Sequence, residues 1–198
     1  MRGGEGFLTE NDLIKKCKKG SREAFNILVS NYQQQVINIA YGKLSNQEDA
    51  YDAAQEVFVR VYKSIESFKE QSSFTTWLYR ITTNVCSDIL RKRQKHSGVI
   101  SINQAIDEKK DMDIRDESPT PEENMEISER QRAVREAISE LKEEYRTVIT
   151  LCDIEGLSYD YISEVLGIPS GTVKSRINRA RSCLLYTSPS PRDRTRSR

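Results

Sequence analysis

The fold is decided by a stretch of ten residues, Gly167-Ile168-Pro169-Ser170-Gly171-Thr172-Val173-Lys174-Ser175-Arg176. It separates two amphipathic segments, and the whole pattern predicts a helix-turn-helix over residues 157–184. Ser158 is a candidate N-cap of the first helix, and Ser170 is a candidate N-cap of the second. Gly167 is expected to end the first helix, because glycine readily adopts the left-handed conformation found there.

The second helix of this pair has two contrasting faces. Its apolar stripe consists of Val173, Ile177, Ala180 and Leu184. Its opposite side consists of Lys174, Ser175, Asn178, Arg179 and Arg181. A helix that is apolar on one side and cationic and polar on the other is suited to the major groove of DNA. An ordinary solvated helix pair is the alternative interpretation.

The composition is that of a rather polar helical protein, with 31% charged and 36% hydrophobic residues. No apolar run approaches the roughly 18 residues needed to span a bilayer, so we expect no membrane insertion. No apolar leader segment is present at the amino terminus, so we expect a cytoplasmic protein. Four widely spaced cysteines and one histidine match no zinc spacing, and we expect neither a metal site nor a cofactor.

Charge is segregated along the chain, although the net charge is only +1. Residues 105–130 contain ten acidic and four basic residues. The segment 91–95 and the last helix, by contrast, are strongly basic. Such segregation indicates separate surfaces of opposite sign, of which the basic ones suit a polyanion.

The periodicity predicts an all-α protein with two small helical domains joined by an acidic flexible linker. The first domain is expected over residues 10–95 and the linker over residues 96–121. The second domain, which contains the helix-turn-helix, is expected over residues 122–185. Residues 186–198, rich in proline and arginine, are expected to be a disordered or non-native tail.

Apolar stripes at helical spacing predict three helices in the first domain. The first stripe is Phe25, Leu28, Val29, Tyr32, Val36, Ile39 and Ala40. The second helix is expected from about Asn46 to Ser67, with the stripe Ala50, Ala53, Val57, Phe58, Val61 and Ile65. The third begins near Thr75 and has the stripe Leu78, Ile81, Val85 and Ile89. Its other face is polar and carries Thr76, Arg80, Thr83, Asn84, Ser87 and Arg91.

Aromatic residues alternate with hydroxyl and basic residues just before and within the start of the third helix, from Phe68 to Trp77. Aromatic rings can stack on unpaired bases, hydroxyl groups can contact base edges, and cations can contact phosphates. The alternative interpretation, which is the more common case, is that Phe74, Trp77 and Tyr79 belong to the core.

The second helix carries acidic residues on the side away from its apolar stripe. Asp52 and Glu56 lie one turn apart, with Gln55 beside them. Two acids at this spacing could bind a metal or exchange protons, but no histidine or further carboxylate cluster supports a catalytic site. A docking patch for a basic helix is the more plausible interpretation, and a plain solvated face is the alternative.

Three linked motifs resemble the extracytoplasmic-function group of bacterial sigma factors. The first is D-A-x-D-A-x-Q-E-V-F at residues 49–58. The second is F-x(5)-F-T-T-W-L-Y-R-I-T-T-N-x-x-x-D-x-L-R-K-R at residues 68–93. The third is G-I-P-x-G-T-V-K-S-R-x-x-R-A-R at residues 167–181. Their order and spacing extend the resemblance over about residues 10–185, and the tail beyond departs from it.

This resemblance implies a protein with no catalytic residues, which gives promoter specificity to core RNA polymerase. It implies docking on the clamp of the largest polymerase subunit through Asp52, Gln55 and Glu56. It implies melting and reading of the promoter −10 element by Ser72, Ser73, Thr76, Arg80, Thr83, Asn84, Ser87 and Arg91. It implies reading of the −35 element by Thr172, Lys174, Ser175, Arg176 and Arg179. An anti-sigma factor that sequesters the chain is a further expected partner.

We expect the chain to bind promoters poorly when polymerase is absent. Residues 192–198 contribute a net charge of +3, so the rest of the chain carries −2 and repels DNA. The acidic linker could also cover the basic faces.

Two other functions can be weighed against this one. A stand-alone helix-turn-helix regulator would bind a palindromic site without polymerase, but it gives no role to the first two motifs. A helical adaptor for protein partners leaves the cations of the last helix unexplained. An enzyme is disfavoured, because the sequence contains no P-loop, nucleophile elbow or metal-binding cluster.

Overall fold

The computed structural model describes residues 9–97, 134 and 136–187, and within these residues all regular structure is helical. The amino-terminal part consists of α1 (Glu10–Lys18), α2 (Arg22–Leu44), α3 (Gln47–Ser64), a 3₁₀ turn (Ile65–Ser67) and α4 (Phe74–Ser97). The carboxy-terminal part consists of helical residues 136–139, α5 (Glu143–Ile149), a π-helical turn (Thr150–Ile154), α6 (Tyr159–Leu166) and α7 (Ser170–Thr187). The predicted all-α fold is confirmed. None of the helices in these residues is long and apolar enough to cross a bilayer.

Short polar side chains set the starts of the first three helices. Thr9 and Asp12 form a capping box, in which Thr9 Oγ1 accepts from the Asp12 amide at 3.2 Å and Asp12 Oδ2 accepts from the Thr9 amide at 3.3 Å. The side chain of Ser21 accepts from the Ala24 amide and caps α2, and the side chain of Asn46 accepts from the Asp49 amide and caps α3. These side chains satisfy backbone amides that have no partner inside the helix.

The core of the amino-terminal part lies between α2, α3 and α4. Its most deeply buried side chains are Leu28, Val36, Ile39, Val57, Val61, Leu78 and Val85. Each of these residues belongs to one of the three predicted stripes, so the helical periodicity identified the core correctly. The helix α1 closes one end of this core with the buried residues Leu13, Ile14 and Cys17.

Two predicted boundaries differ from the observed helix ends. The helix α4 continues to Ser97, two residues into the predicted linker, since the first helix-breaking residue after it is Gly98. Similarly, α7 continues to Thr187, past the predicted start of the tail at residue 186. Apart from these helical residues, the predicted linker and tail lie outside the described residues.

The helix before the helix-turn-helix changes its winding midway. The helix α5 passes directly into the π-helical turn, where the Glu155 amide donates to the Thr150 carbonyl at 3.0 Å. A π turn accommodates one extra residue per turn and shifts the following side chains around the helix axis.

The side chain of Arg146 on α5 joins the two parts of the molecule. Its Nε and Nη2 atoms donate to the carbonyls of Gly42 and Lys43 at 2.8 and 3.0 Å. Its Nη1 atom donates to the carbonyls of Ser139 and Leu141 at 2.9 and 3.0 Å. The first two carbonyls belong to the last turn of α2, where a cation also complements the helix dipole. One planar guanidinium therefore links the end of α2 to the turn before α5.

Close beside this link, α2 approaches the π-helical turn too closely to admit a side chain at residue 42. A Cβ atom added to Gly42 would lie 2.1 Å from Thr150 Oγ1 and 2.7 Å from Thr150 Cβ. Thr150 is buried, so its branched side chain has little room to move away. The contact between the two parts at this point therefore requires glycine.

Two polar pairs complete the junction. Lys43 Nζ lies 2.8 Å from Glu143 Oε1, and Asn38 Nδ2 donates to Glu155 Oε1 at 2.9 Å. Burial raises the pKa of Glu155, and the hydrogen bond from Asn38 opposes this shift. Burial, together with the nearby charge of Glu155, raises the pKa of Tyr79 on α4 to about 12. An acidic side chain is thus held in a poorly solvated place between α2, α4 and the π-helical turn.

We expect Glu155→Gln to raise the free energy of unfolding at neutral pH and to change it little in acid. Because the pKa of Glu155 is raised on folding, the native chain binds this proton more tightly than the unfolded chain. Wild-type stability should therefore fall as the pH rises from the ordinary value of 4.5 through the raised one. Glutamine keeps an acceptor for Asn38 without the buried charge.

Urea unfolding in acid and at neutral pH measures this difference. Glu66→Gln, which changes an exposed acidic residue, is the matched control. A stability difference that is the same at both pH values would contradict the assignment.

Candidate nucleic-acid interface and docking face

Residues 158–187 form the helix-turn-helix that the sequence predicts. Ser158 Oγ accepts from the Tyr161 amide at 3.3 Å and caps α6 as expected. Gly167 ends α6 with φ at 65°, a left-handed conformation that glycine adopts at little cost. The hydroxyl of Ser163 donates to the Ile168 carbonyl at 2.6 Å and holds the turn against α6.

The prediction that Ser170 caps α7 with its side chain is wrong. The Pro169 carbonyl accepts from the amides of Thr172 and Val173 at 2.8 and 3.1 Å, so the chain is already helical at Ser170. The Ser170 hydroxyl instead donates to Asp160 Oδ1 at 2.9 Å. This bond ties the start of α7 to the first turn of α6.

The helix α7 buries one face and exposes the other, as predicted. The buried residues are Val173, Ile177 and Ala180. The exposed residues include Lys174, Ser175, Asn178, Arg179 and Arg181. Among the five residues predicted to read DNA, Lys174, Ser175 and Arg179 are exposed, whereas Thr172 and Arg176 are half-buried.

Two arginines on α7 are paired with carboxylates of their own domain. Arg176 Nη2 lies 2.9 Å from Glu144 Oε2 on α5. Arg181 donates to Asp153 through Nη2 at 2.6 Å and through Nε at 3.2 Å, and these hydrogen bonds lower the pKa of Asp153. Both pairs orient α7 on the rest of its domain, so Arg176 must leave Glu144 before it can contact DNA.

The eight polar residues predicted to read DNA on α4 and the loop before it differ in their exposure. Ser73, Arg80, Asn84 and Arg91 are exposed, and Ser72 and Ser87 are half-buried. Thr76 and Thr83 are buried, with exposed fractions of 1% and 5%. The sequence placed both threonines on the face opposite the core, so their burial is a departure from the prediction.

The helix α6 lies against this face, at Arg80 and at the first turn of α4. Arg80 donates to the Glu164 carbonyl through Nε at 3.0 Å and through Nη2 at 2.8 Å. The hydroxyl of Tyr161 is 3.0 Å from Ser73 Oγ and also hydrogen-bonds to Thr75. Because sequence periodicity reports only the faces of single helices, it could not predict a contact between the two domains.

The aromatic residues before and on α4 form a cluster. The ring centroids of Phe68 and Trp77 are 4.9 Å apart, and those of Phe68 and Phe74 are 5.9 Å apart. Phe74 and Tyr79 are buried, which confirms the core interpretation for these two residues. Trp77 is half-buried and packs at the edge of the cluster. The cluster holds the first turn of α4 rigidly beneath its polar face.

The acidic residues of α3 lie on its exposed side. Asp52, Gln55 and Glu56 are all exposed. Glu56 Oε1 accepts from Arg60 Nε at 2.7 Å, and Arg60 Nη1 also donates to Asp88 on α4 at 3.2 Å. The described residues contain no group of acidic, histidine or cysteine side chains that could hold a metal ion.

An apolar groove of about 570 Å³ borders this acidic patch, between α2 and α3. Its exposed apolar lining includes Tyr51, Val59 and Tyr62, and Gln55 of the acidic patch also lines it. Exposed apolar surface beside charged residues is typical of a protein contact. The sequence analysis missed this groove, although the three residues recur on α3 outside the buried stripe.

Comparison with known families gives two matches. Residues 28–96 match Sigma-70 region 2, and residues 131–184 match Sigma-70 region 4. The chain is 40% identical over 179 residues to the ECF RNA polymerase sigma-E factor of Haemophilus influenzae, covering 89% of this chain and 94% of that protein. It is 39% identical over 173 residues to the ECF RNA polymerase sigma factor SigW of Bacillus subtilis, covering 86% and 92% of the two chains.

Solved structures share the fold. The chain resembles CnrH, solved in complex with the cytosolic domain of CnrY, with a TM-score of 0.61 at 24% identity over 88% of this chain and 93% of that one. It also resembles RpoE of Bartonella quintana, solved in complex with the anti-sigma factor NepR, with a TM-score of 0.60 at 23% identity over 83% and 98%. Both matches extend over the amino-terminal and the carboxy-terminal parts.

We expect Ser158→Ala to lower the free energy of unfolding by about 1 kcal/mol, because it leaves an amide at the start of α6 without its cap. Ser170→Ala should cost less, since that hydroxyl donates to an exposed carboxylate and caps no helix. Thermal unfolding of the two variants makes the comparison. An equal loss in both would mean that Ser170 has a capping role that the structure does not show.

Proposed function

The chain belongs to the extracytoplasmic-function group of the sigma-70 family, and we propose how its two helical domains divide promoter recognition between them. As a sigma factor it gives bacterial RNA polymerase its promoter specificity at transcription initiation, as a DNA-binding regulator rather than a catalytic enzyme. The observation that carries this conclusion is the presence of regions 2 and 4 in one chain, at 40% identity to a sigma factor of nearly equal extent. A stand-alone regulator would leave the region 2 match without a role.

We propose that the first domain comprises residues 10–95 and the second residues 122–185, with residues 96–121 as their linker. The helices of the described residues support this division, because α1–α4 enclose one core and α5–α7 follow the gap. Two weak sites joined by a linker gain affinity when a third body holds them at the correct distance. Core polymerase would be that body.

The second domain is proposed to read the −35 element with α7 in the major groove. The exposed face of Lys174, Ser175 and Arg179 supports this role, since it combines hydrogen-bond donors for base edges with cations for phosphates. Thr172 lies on the same helix one turn before Arg176. Arg176 would exchange its pairing with Glu144 for a contact with DNA.

The first domain is proposed to melt and read the −10 element with the polar face of α4. Ser72, Ser73, Asn84 and Ser87 offer donors and acceptors for unpaired bases. Arg80 and Arg91 supply cations for phosphates. Thr76 and Thr83 are buried, so they can contact the −10 element only if the second domain moves away from α4.

The exposed side of α3 is proposed to dock on the clamp of the largest polymerase subunit. Asp52, Gln55 and Glu56 would contact basic residues of the clamp, and the apolar groove beside them would supply the contact area that charges alone do not. An anti-sigma factor is a further proposed partner, on the basis of the family. The proposed site of action is the bacterial cytoplasm, where polymerase and promoter DNA are found.

We expect Asp52→Lys to weaken association with core polymerase by at least about tenfold, because like charges at a docking face cost energy. Glu66→Lys makes the same change of charge at an exposed position in the 3₁₀ turn after α3, about 20 Å further along the helix axis, and it should have little effect. Co-elution of each variant with core polymerase gives the comparison. Normal association of the Asp52 variant would remove this residue from the docking face.

We expect Arg179→Ala to weaken −35 recognition by about 1–3 kcal/mol, the value of a good contact to a base edge. Arg181→Ala removes the same charge from the same helix, but Arg181 is already engaged by Asp153, so its effect should be smaller. Run-off transcription with core polymerase on a promoter library measures both. Equal losses would assign the effect of Arg179 to general charge rather than to recognition.

A further inference from the structure

We propose that the chain without polymerase is autoinhibited, because the helix-turn-helix domain seats α6 on the −10-reading face of α4. This inference rests on the proposed function of that face. The expectation that the acidic linker covers the basic faces is separate, and it concerns residues that the structure does not describe. The covering element proposed here is a folded helix, held at two separate places.

The first of the two contacts between the domains is made by Arg80 on α4. The Nε and Nη2 atoms of Arg80 both donate to the backbone carbonyl of Glu164 on α6, at 3.0 and 2.8 Å. The Glu164 carboxylate lies 3.7 Å from the same guanidinium. A side chain suited to a DNA phosphate is therefore occupied by acceptors of the chain itself, which DNA must displace.

A cluster of hydroxyl groups extends this contact toward the loop before α4. Tyr161 bonds to Ser73 and Thr75, while Ser73 Oγ also accepts from the Thr76 amide at 3.1 Å and caps α4. The loop that is proposed to capture an unpaired base is thus pinned by α6. A base that bonds to the Ser73 or Thr75 hydroxyl must therefore compete with Tyr161.

Burial leads to the same conclusion independently of these bonds. Thr76 and Thr83 lie on either side of Arg80, one turn away in each direction, and both are at least 95% buried. No base can contact them in this arrangement. The exposed residues Lys174 and Arg179 on α7, in contrast, remain accessible. The closed arrangement therefore withdraws Thr76 and Thr83 from reading by α4 and engages Arg80, while Asn84, Arg91 and the face of α7 stay exposed.

The second place lies at the end of α2. There Arg146 donates to the carbonyls of Gly42 and Lys43, and Gly42 packs directly against Thr150. Two contact sites on different helices determine the orientation of one domain on the other, whereas one site would allow rotation. Each hydrogen bond contributes about a fivefold factor to the closed-to-open equilibrium, so a partner with a large interface can release the contact.

The closed arrangement can be tested by fluorescence energy transfer between native positions. Trp77 on α4 is the single tryptophan of the chain, and Cys183 on α7 is an exposed cysteine that can carry an acceptor dye. Cys152, which is half-buried, would be replaced by serine, and Cys17 and Cys86 are buried. Because the donor and the acceptor lie in different domains, opening changes their separation, and we expect lower transfer in the open form than in the closed one.

Gly42→Ala is the variant that should open the chain, because its Cβ atom would overlap Thr150. Gly171→Ala is the matched control, since an added Cβ atom meets nothing within 4 Å there. We expect lower transfer in the first variant and wild-type transfer in the second. Retained helicity, measured by circular dichroism, shows that the domains remain folded.

Tyr161→Phe decides the question if Gly42→Ala fails to fold. It removes the hydroxyl that bonds to Ser73 and Thr75, and we expect a shift of about tenfold or more toward the open form. Ser163→Ala, which removes a hydroxyl bond inside the second domain, is the control. Unchanged transfer in folded variants of both Gly42 and Tyr161 would overturn the closed arrangement.

Inhibition itself is tested with a pool of random single-stranded DNA oligonucleotides as the probe. We expect the folded opening variants to bind the pool about tenfold more tightly than the wild-type chain and the two controls. Lower transfer without tighter binding would overturn autoinhibition. Co-elution with core polymerase is measured separately, so a chain that fails to bind polymerase contradicts the proposed function and leaves the transfer result intact.

Discussion

The arrangement of the molecule depends on one contact, in which the half-buried guanidinium of Arg146 and the buried side chain of Thr150 fit against the end of α2. Arg146 satisfies four backbone carbonyls, two on each side of the junction. Burial lowers the pKa of this arginine, but an arginine stays charged at any physiological pH, so the link does not depend on pH. Its strength comes from geometry, since the planar fork matches carbonyls that a helix end leaves without partners.

The position of every proposed functional surface follows from this junction. With α5 fixed to α2, the second domain places α6 on α4 and leaves α7 facing outward. The acidic patch and apolar groove of α3 lie on another side, where nothing in the described residues covers them. If the proposed roles hold, an accessible docking face beside a partly covered reading face suits a protein that engages polymerase before it engages melted DNA.

Particular residues show how far sequence reasoning reaches. Val57 and Leu78 are buried and Lys174 and Arg179 are exposed as the helical periodicity predicted, because burial within one domain follows the faces of single helices. The cap at Ser158 and the left-handed glycine that ends α6 were predictable for the same local reason. The roles of the proposed polymerase and DNA contacts remain predictions that rest on the family.

The sequence by itself determined the all-α class, the helix-turn-helix, the apolar stripes and the three motifs that identify the family, since each depends on residues close together in the chain. Only the tertiary structure decided that Thr76 and Thr83 are covered, that Gly42 must be glycine and that exposed apolar residues of α3 form a groove. These features join residues from distant parts of the chain, and a pattern of spacing along one helix has no information about which other helix it will meet.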